Sequence, residues 1–222
     1  FLRGKPLELK TGSEFKTGIV ELDMKGMLSL ASKDSSYWLL TAGFFVCGFH
    51  VTFIAVHMPA YLDDKGLPAE LGAYSLMLIA LFNIFGSLIA GYLGIRFQKK
   101  DLLTALYALR AITIAIFIVV PISTTSVLLF SSAMGLFWLS TVPLTSGLVA
   151  TIFGTRYMGT LFGIVFFSHQ LGSFLGVWLG GYIYDTTGSY DLVWWAGIAL
   201  GFAAAILHWP IRESTRAEAV IV

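Results

Sequence analysis

Hydrophobic residues fall into six long runs that are separated by short polar connections. The runs cover roughly residues 38–62, 70–95, 102–121, 124–150, 158–184 and 191–210. A transmembrane helix needs about 20 mostly apolar residues to cross the hydrocarbon core of a bilayer. Each run meets that length, so the pattern predicts an all-α membrane protein with six transmembrane helices.

The polar connections differ in their content of Lys and Arg. Twelve of the 14 basic residues lie before the first run, in the second and fourth connections, or after the last run. The opposite side has only Lys65, and Arg110 lies within a run. Because cytoplasmic loops carry the excess of Lys and Arg, we expect both ends of the chain on the cytoplasmic side of a plasma or inner membrane. Residues 1–36 would be a cytoplasmic linker with at most one short helix, and residues 211–222 a cytoplasmic tail.

Composition supports a membrane protein and indicates no disulfide or metal site. The chain is 57% hydrophobic and 12% charged, with a mean hydropathy of +0.81, whereas soluble domains have about 25% charged residues. Cys47, the single cysteine, lies in the first run, so the sequence predicts neither a disulfide nor a metal site. We expect a packing role for Cys47, and no cofactor, nucleic-acid partner or enzymatic activity.

A weak internal repeat appears when the chain is shifted by 90 residues. The shift pairs Gly86 with Gly176, Gly91 with Gly181, Tyr92 with Tyr182, Asp101 with Asp191, and Leu102 with Leu192. The first three runs then correspond to the last three. Because three is an odd number, the second copy enters the membrane from the opposite side, which predicts inverted repeats at about 37–121 and 124–210.

One connection resembles a known signature. The segment GYLGIRFQKK (91–100) is similar to the loop after the second helix of each half of the major facilitator superfamily: Gly, three residues, Asp, Arg, any residue, Gly, Arg, Lys. Ile95 and Gln98 replace the usual Asp and Gly. The residues that fit are Gly91, Arg96, Lys99 and Lys100.

Three further runs resemble the C-terminal half of bacterial monocarboxylate porters and oxalate:formate antiporters. They are FFVCGFHVTFIAVHMPAYLDDKGL (44–67), LFWLSTVPLTSGLVATIFG (136–154) and FFSHQLGSFLGVWLGGYIYDTTGSY (166–190). The resemblance implies one half of a twelve-helix transporter, built as 3+3 inverted repeats, with residues 37–210 as the transmembrane half. It implies an N-terminal six-helix half as partner and a cytoplasmic gating role for the loop at 91–100. The implied function is alternating-access transport of a small organic solute, with a carboxylate as the narrower candidate, by proton coupling or exchange.

Polar residues inside the apolar runs are costly in lipid and therefore mark candidate sites. No Asp or Glu lies well inside any run. His169 stands about 16 Å into the fifth run, near the midplane where transporters bind solutes, and it shares a helix face with Gly172 and Gly176. Its alternative role is a hydrogen bond between helices. The candidates for solute binding or coupling are His169, Gln170, His50, Arg110 and Asn83.

For the other candidates the sequence predicts positions and leaves more than one role open. Gln170 points about 100° away from His169 and would bind solute by hydrogen bonds. His50 lies just past the middle of the first run, whereas His57 is expected at a solvated or lipid interface near the outer surface. Arg110 stands about 13 Å from the cytoplasmic boundary, where it would either bind an anionic solute or extend along the helix to the surface.

Small residues and one proline predict how the helices pack. Gly172, Gly176 and Gly180 form a stripe that permits close backbone approach, with Gly86, Ala90 and Gly94 as its counterpart in the second run. Pro143 should kink the fourth run, as in a pathway-lining helix. A membrane haem or redox subunit is the alternative function, since His50, His57 and His169 could ligate iron; the repeat and the loop at 91–100 favour transport.

Overall fold

The computed structural model describes residues 22–215, and the remaining parts of the predicted linker and tail lie outside the described residues. Within them the chain is helical, and the connections are short. The helices are α1 (Met24–Lys33), α2 (Ser35–Asp64), α3 (Ala69–Arg96), α4 (Lys99–Val119), α5 (Thr124–Phe137), α6 (Thr141–Phe153), α7 (Met158–Thr187) and α8 (Asp191–His208).

The described helices confirm the predicted fold class. Six segments are long and apolar enough to cross a membrane, with α5 and α6 together forming one of them. Their ends agree with the predicted runs to within a few residues. Helix α1 corresponds to the short helix expected in the linker. Asp23 accepts a hydrogen bond from the Gly26 amide at its start, and Met27 and Ala31 are buried against the first membrane helix.

The helices pair in a crossed pattern. Helix α2 packs mainly on α7, α3 mainly on α5 and α6, and α4 mainly on α8. The first helix of one predicted repeat therefore packs on the second helix of the other, and the two third helices pack on each other. This exchange supports an inverted repeat, whose boundaries stay a prediction.

Glycines bring the backbones of α2 and α7 together. A Cβ atom on Gly48 would collide with the carbonyl of His169, and one on Gly172 would collide with the carbonyl of Phe45. The predicted stripe on α7 therefore lies against α2. Gly86 makes the same kind of contact between α3 and Leu136 of α5. Such approaches let van der Waals contacts hold helices together in lipid, where the hydrophobic effect does not.

The fourth span is broken at residues 138–140. Helix α5 ends at Phe137 and α6 begins at Thr141, so the interruption expected from Pro143 lies just before that residue. Proline has no N–H to donate to the carbonyl four residues earlier. The carbonyl of Leu139 instead accepts a bond from the Val142 amide at 2.9 Å. Side chains therefore provide hydrogen bonds to the last carbonyls of α5.

Replacing Gly172 by alanine tests the α2–α7 contact. We expect Gly172→Ala to lower the stability of the detergent-purified protein by about 1–3 kcal/mol, because the new methyl group overpacks the contact. Gly181→Ala, on the same helix with no atom near its added Cβ, is the control and should not destabilise. Thermal unfolding of both variants measures the difference, and equal melting temperatures would contradict the predicted role of the glycine.

Candidate functional site

Two candidate residues bind the backbone at the break in the fourth span. The Arg110 guanidinium, from α4, donates through Nη2 to the carbonyls of Phe137 and Trp138, the second at 2.7 Å. Asn83, from α3, accepts the Leu139 amide through Oδ1 at 3.0 Å. Backbone groups without partners cost several kcal/mol in a bilayer. Arg110 and Asn83 therefore make the interruption of this helix possible.

Arg110 lies in the protein interior. Its side chain is 0% exposed, so, of the two roles that the sequence left open for it, extension to the surface is wrong. The reason is the break itself, whose carbonyls offer closer acceptors than the end of the helix does. Nη1 donates to the Cys47 sulfur at 3.4 Å, and the Tyr107 ring lies 5.5 Å from the guanidinium carbon.

His169 and Gln170 form a hydrogen-bonded pair on α7. His169 Nδ1 lies 3.1 Å from Gln170 Oε1 and 3.5 Å from Ser173 Oγ. Because an amide oxygen only accepts, Nδ1 carries the proton. The Phe166 ring stacks on the imidazole at 5.3 Å. The histidine is 7% exposed, whereas Gln170 is exposed, so the pair joins the interior to an uncovered face of α7.

The other two candidate histidines bind neighbouring helices. His50 Nε2 lies 2.7 Å from the carbonyl of Gly197 on α8, and its side chain is buried between α2 and α8. His57 Nε2 lies 3.0 Å from the carbonyl of Val177 on α7. The interface position expected for His57 is wrong, because Gly180 leaves room for its ring inside the helix contact.

The histidines do not converge on one centre. His50 faces α8, whereas His57 contacts α7 near its outer end. Among residues 22–215, no group of three or more His, Cys, Asp or Glu side chains is arranged to hold a metal ion. The geometry therefore adds no support to the haem alternative.

The loop at 91–100 is held to the start of the tail. Lys99 Nζ forms an ion pair with Glu213 Oε1 at 2.9 Å, and the Lys100 amide donates to Glu213 Oε2 at 3.3 Å. Arg96 stacks on the Tyr92 ring, and Gly91 has open space around it. Glu213 therefore brings a carboxylate to a loop in which Ile95 stands at the usual position of Asp.

Sequence reasoning missed two residues of this arrangement. Glu213 was part of an undivided tail, although it shares the predicted cytoplasmic side with Lys99. Cys47 is buried, as a packing residue would be, but its sulfur also lies 3.2 Å from Thr141 Oγ1. Comparing helical depths would have placed Cys47 and Arg110 at neighbouring levels, about 18 and 16 Å from the first residues of α2 and α4.

Comparison with known proteins agrees with this architecture. The sequence profile of the Major Facilitator Superfamily matches residues 2–177 and 80–220. The chain belongs to the major facilitator superfamily. Its six membrane spans, α2 to α8, fit half of a transporter of this superfamily, as the sequence resemblance implied, and the protein is a multi-pass membrane protein.

Individual superfamily members match over part of their length. The chain is 28% identical over 209 residues to the uncharacterized MFS-type transporter YcxA of Bacillus subtilis strain 168, covering 88% of this chain and 49% of that protein. It is 30% identical over 137 residues to monocarboxylate transporter 13 of Rattus norvegicus, covering 61% and 32%. It is 26% identical over 181 residues to monocarboxylate transporter 12 of Mus musculus, covering 77% and 37%. The chain thus spans half or less of these relatives.

Removing the Asn83 side chain tests its role at the break. We expect Asn83→Ala to lower the free energy of unfolding by about 1–3 kcal/mol, because the Leu139 amide loses the acceptor that Asn83 provides. Ser87→Ala is the control, since Ser87 bonds Asn83 Oδ1 but not the break. Hydrogen exchange at residue 139 should accelerate in Asn83→Ala alone. Similar exchange in both variants would contradict the assignment.

Neutralising Glu213 tests the attachment of the tail. We expect Glu213→Gln to speed amide exchange in residues 209–213 several-fold, because the Lys99 ion pair is lost; a partly exposed pair contributes at most about 1 kcal/mol. Asp101→Asn removes the same charge from the first turn of α4 but leaves the Lys99–Glu213 ion pair in place, and it should leave this exchange unchanged. Hydrogen exchange read by mass spectrometry makes the comparison. Unaltered exchange in Glu213→Gln would show that the ion pair does not hold the tail.

Proposed function

We propose that this chain is the C-terminal half of a secondary transporter that moves a small organic solute by alternating access. The narrower candidate for the solute is a carboxylate, carried with protons or by exchange. Membership of the superfamily supports transport rather than enzymatic activity. Two of the relatives are named monocarboxylate transporters, which supports the solute class.

The observation that carries this proposal is the pairing of His169 with Gln170. His169 is about 16 Å from the start of α7, a depth at which superfamily members bind their solutes. Gln170 lies on the uncovered face of α7 and has an amide that can donate to a carboxylate. The imidazole beside it can supply a second donor, or a positive charge when protonated.

The uncovered faces of α3 and α7 support the proposal that a second six-helix half packs against this one. These two helices are the least buried of the six spans, and Phe167, Gln170 and Phe174 share one exposed face of α7. We propose that this face meets the preceding six-helix half and that the solute pathway runs between the halves. Gln170 would then be the group of this half that reaches the pathway.

The remaining candidates are proposed to act outside the solute pathway. Arg110 and Asn83 bind the backbone at the break and are proposed as positioning residues. His50 is proposed to stabilise the α2–α8 contact. The loop residues Arg96, Lys99 and Lys100 would face the cytoplasm, with both ends of the chain on that side of a plasma or inner membrane.

Transport assays on the full-length protein test the proposal. Reconstituted into liposomes, it should take up or exchange at least one labelled mono- or dicarboxylate. His169→Ala should reduce that transport at least tenfold, because a hydrogen bond to a charged group contributes about 1.5–3 kcal/mol. Ser168→Ala is the matched control on the adjacent position, whose hydroxyl bonds Thr41 and Val165 carbonyls.

Two results would count against the proposal. Absence of flux for every carboxylate and neutral solute tested would remove the transport function. Full activity of His169→Ala on every accepted solute would remove the site while leaving transport in place.

A further inference from the structure

An apolar cavity lies between α2 and α7, beside the pair formed by His169 and Gln170. Its volume is about 430 Å³. None of the five side chains that line it is charged, and three of the five are apolar or aromatic. Pockets for small molecules have volumes of about 300–1,000 Å³ and a similar, mostly apolar lining. The residues that line the apolar cavity are Thr52, Ser173, Phe174, Val177 and Trp178.

Ser173 connects the apolar cavity to the polar pair. Its hydroxyl oxygen lies 3.5 Å from His169 Nδ1, and the same side chain lines the cavity. Gln170, Ser173 and Val177 follow one another at spacings of three and four residues, which places them on one face of the helix. From the rise per residue, Ser173 to Trp178 lie about 5–12 Å beyond Gln170 along α7. The pair and the cavity therefore form one continuous surface that is polar at one end and apolar at the other.

No cation stands ready for a second negative charge at the apolar end. Among the lysines and arginines of residues 22–215, Arg110 is the one deep within a span, and its terminal nitrogens are bound to two backbone carbonyls and the Cys47 sulfur. The others lie outside the spans or in their first or last turns. A carboxylate is costly to move from water into apolar surroundings without a partner, whereas a hydrocarbon group gains free energy by the same move.

We propose that the apolar cavity binds the hydrocarbon part of the transported solute, so that this half selects monocarboxylates with an apolar chain or ring over dicarboxylates. The inference rests on the proposed transport function and names the solute class of the same site. The solute carboxylate accepts a hydrogen bond from the Gln170 amide, and its apolar part extends along α7 into the cavity. Phe174, Val177 and Trp178 then determine which solutes fit.

The polar groups at the edge of the cavity favour a solute over the other possible occupants. A lipid chain or an apolar side chain of the preceding half would fill the volume, but it would leave the Gln170 amide facing hydrocarbon. An amide without a partner in apolar surroundings costs free energy. A solute with a carboxylate at one end and a hydrocarbon group at the other satisfies both parts of the surface.

Competition for uptake into liposomes by the full-length protein tests the selection. Unlabelled straight-chain monocarboxylates from acetate to octanoate, and dicarboxylates of the same lengths, compete with one labelled carboxylate that the protein accepts. We expect the half-inhibiting concentration to fall by up to about fourfold for each added methylene until the cavity is filled. Each dicarboxylate should compete at least tenfold more weakly than the monocarboxylate of its length. Competition that is independent of chain length, or equal for dicarboxylates, would overturn the proposal while leaving transport in place.

Filling the cavity tests its residues. Val177→Phe should weaken competition by octanoate at least tenfold and leave that by acetate unchanged, because the added ring occupies the space of the chain. Leu171→Phe is the matched control, since it adds the same ring at an exposed position of α7 outside the cavity. If Val177→Phe does not fold, Phe174→Ala enlarges the cavity and should shift the preference to longer chains. An unaltered series in the folded variant would show that a lipid or the preceding half occupies the cavity, and would overturn the proposal.

Trp178 provides a measurement of binding that needs no flux. Its indole lines the cavity and is 52% exposed, and bromine quenches indole fluorescence on contact. Hexanoate with bromine on its last carbon should quench the fluorescence of the full-length protein saturably, and the isomer with bromine beside the carboxylate should quench it less. Hexanol with bromine on its last carbon, which enters the membrane but has no carboxylate, measures quenching through lipid.

Two tryptophan variants assign the quenching to the cavity. Trp178→Phe should lose the saturable quenching, whereas Trp195→Phe, which removes another exposed indole on α8, should keep it. Equal quenching by the two bromohexanoate isomers, or equal quenching in the two variants, would overturn the proposal. Because binding is measured without transport, this result is separable from a failure of the transport function.

Discussion

The bilayer leaves no water for an unpaired backbone group, and this constraint governs the centre of the molecule. Interrupting the fourth span at residues 138–140 frees two carbonyls and an amide inside the membrane. The chain satisfies them with Arg110 from α4 and Asn83 from α3. Those three bonds fix where α3 and α4 stand against the broken helix, and they explain why a buried arginine has no carboxylate partner within residues 22–215.

A second constraint, the close contact of α2 with α7, positions the proposed site. His169 lies against α2 because Gly48 lets the backbone of that helix reach the His169 carbonyl. With a side chain at Gly48 or Gly172 the two helices would stand apart, and His169 would move away from α2. The glycine stripe therefore acts on the chemistry of the site as well as on its stability.

The outlines of the fold follow from the sequence because they depend on properties local to each segment. Span length, the distribution of Lys and Arg, and the effect of Pro143 need no knowledge of neighbours. The partners of a side chain, in contrast, depend on which helices lie next to it. Helical register placed Arg110 at the right depth but left open the direction in which its side chain points. For His57 a position near the outer end suggested an interface, yet the room left by Gly180 buries it. Glu213 needed the fold of the tail before its pairing with Lys99 could be seen.

Arg110 connects the two constraints. One of its terminal nitrogens binds the carbonyls that end α5, and the other binds the sulfur of Cys47. The same guanidinium therefore joins α2 and α4 to the point where the fourth span is interrupted. The position of α2, which is set by its glycine contacts with α7, and the position of the break thus depend on one side chain.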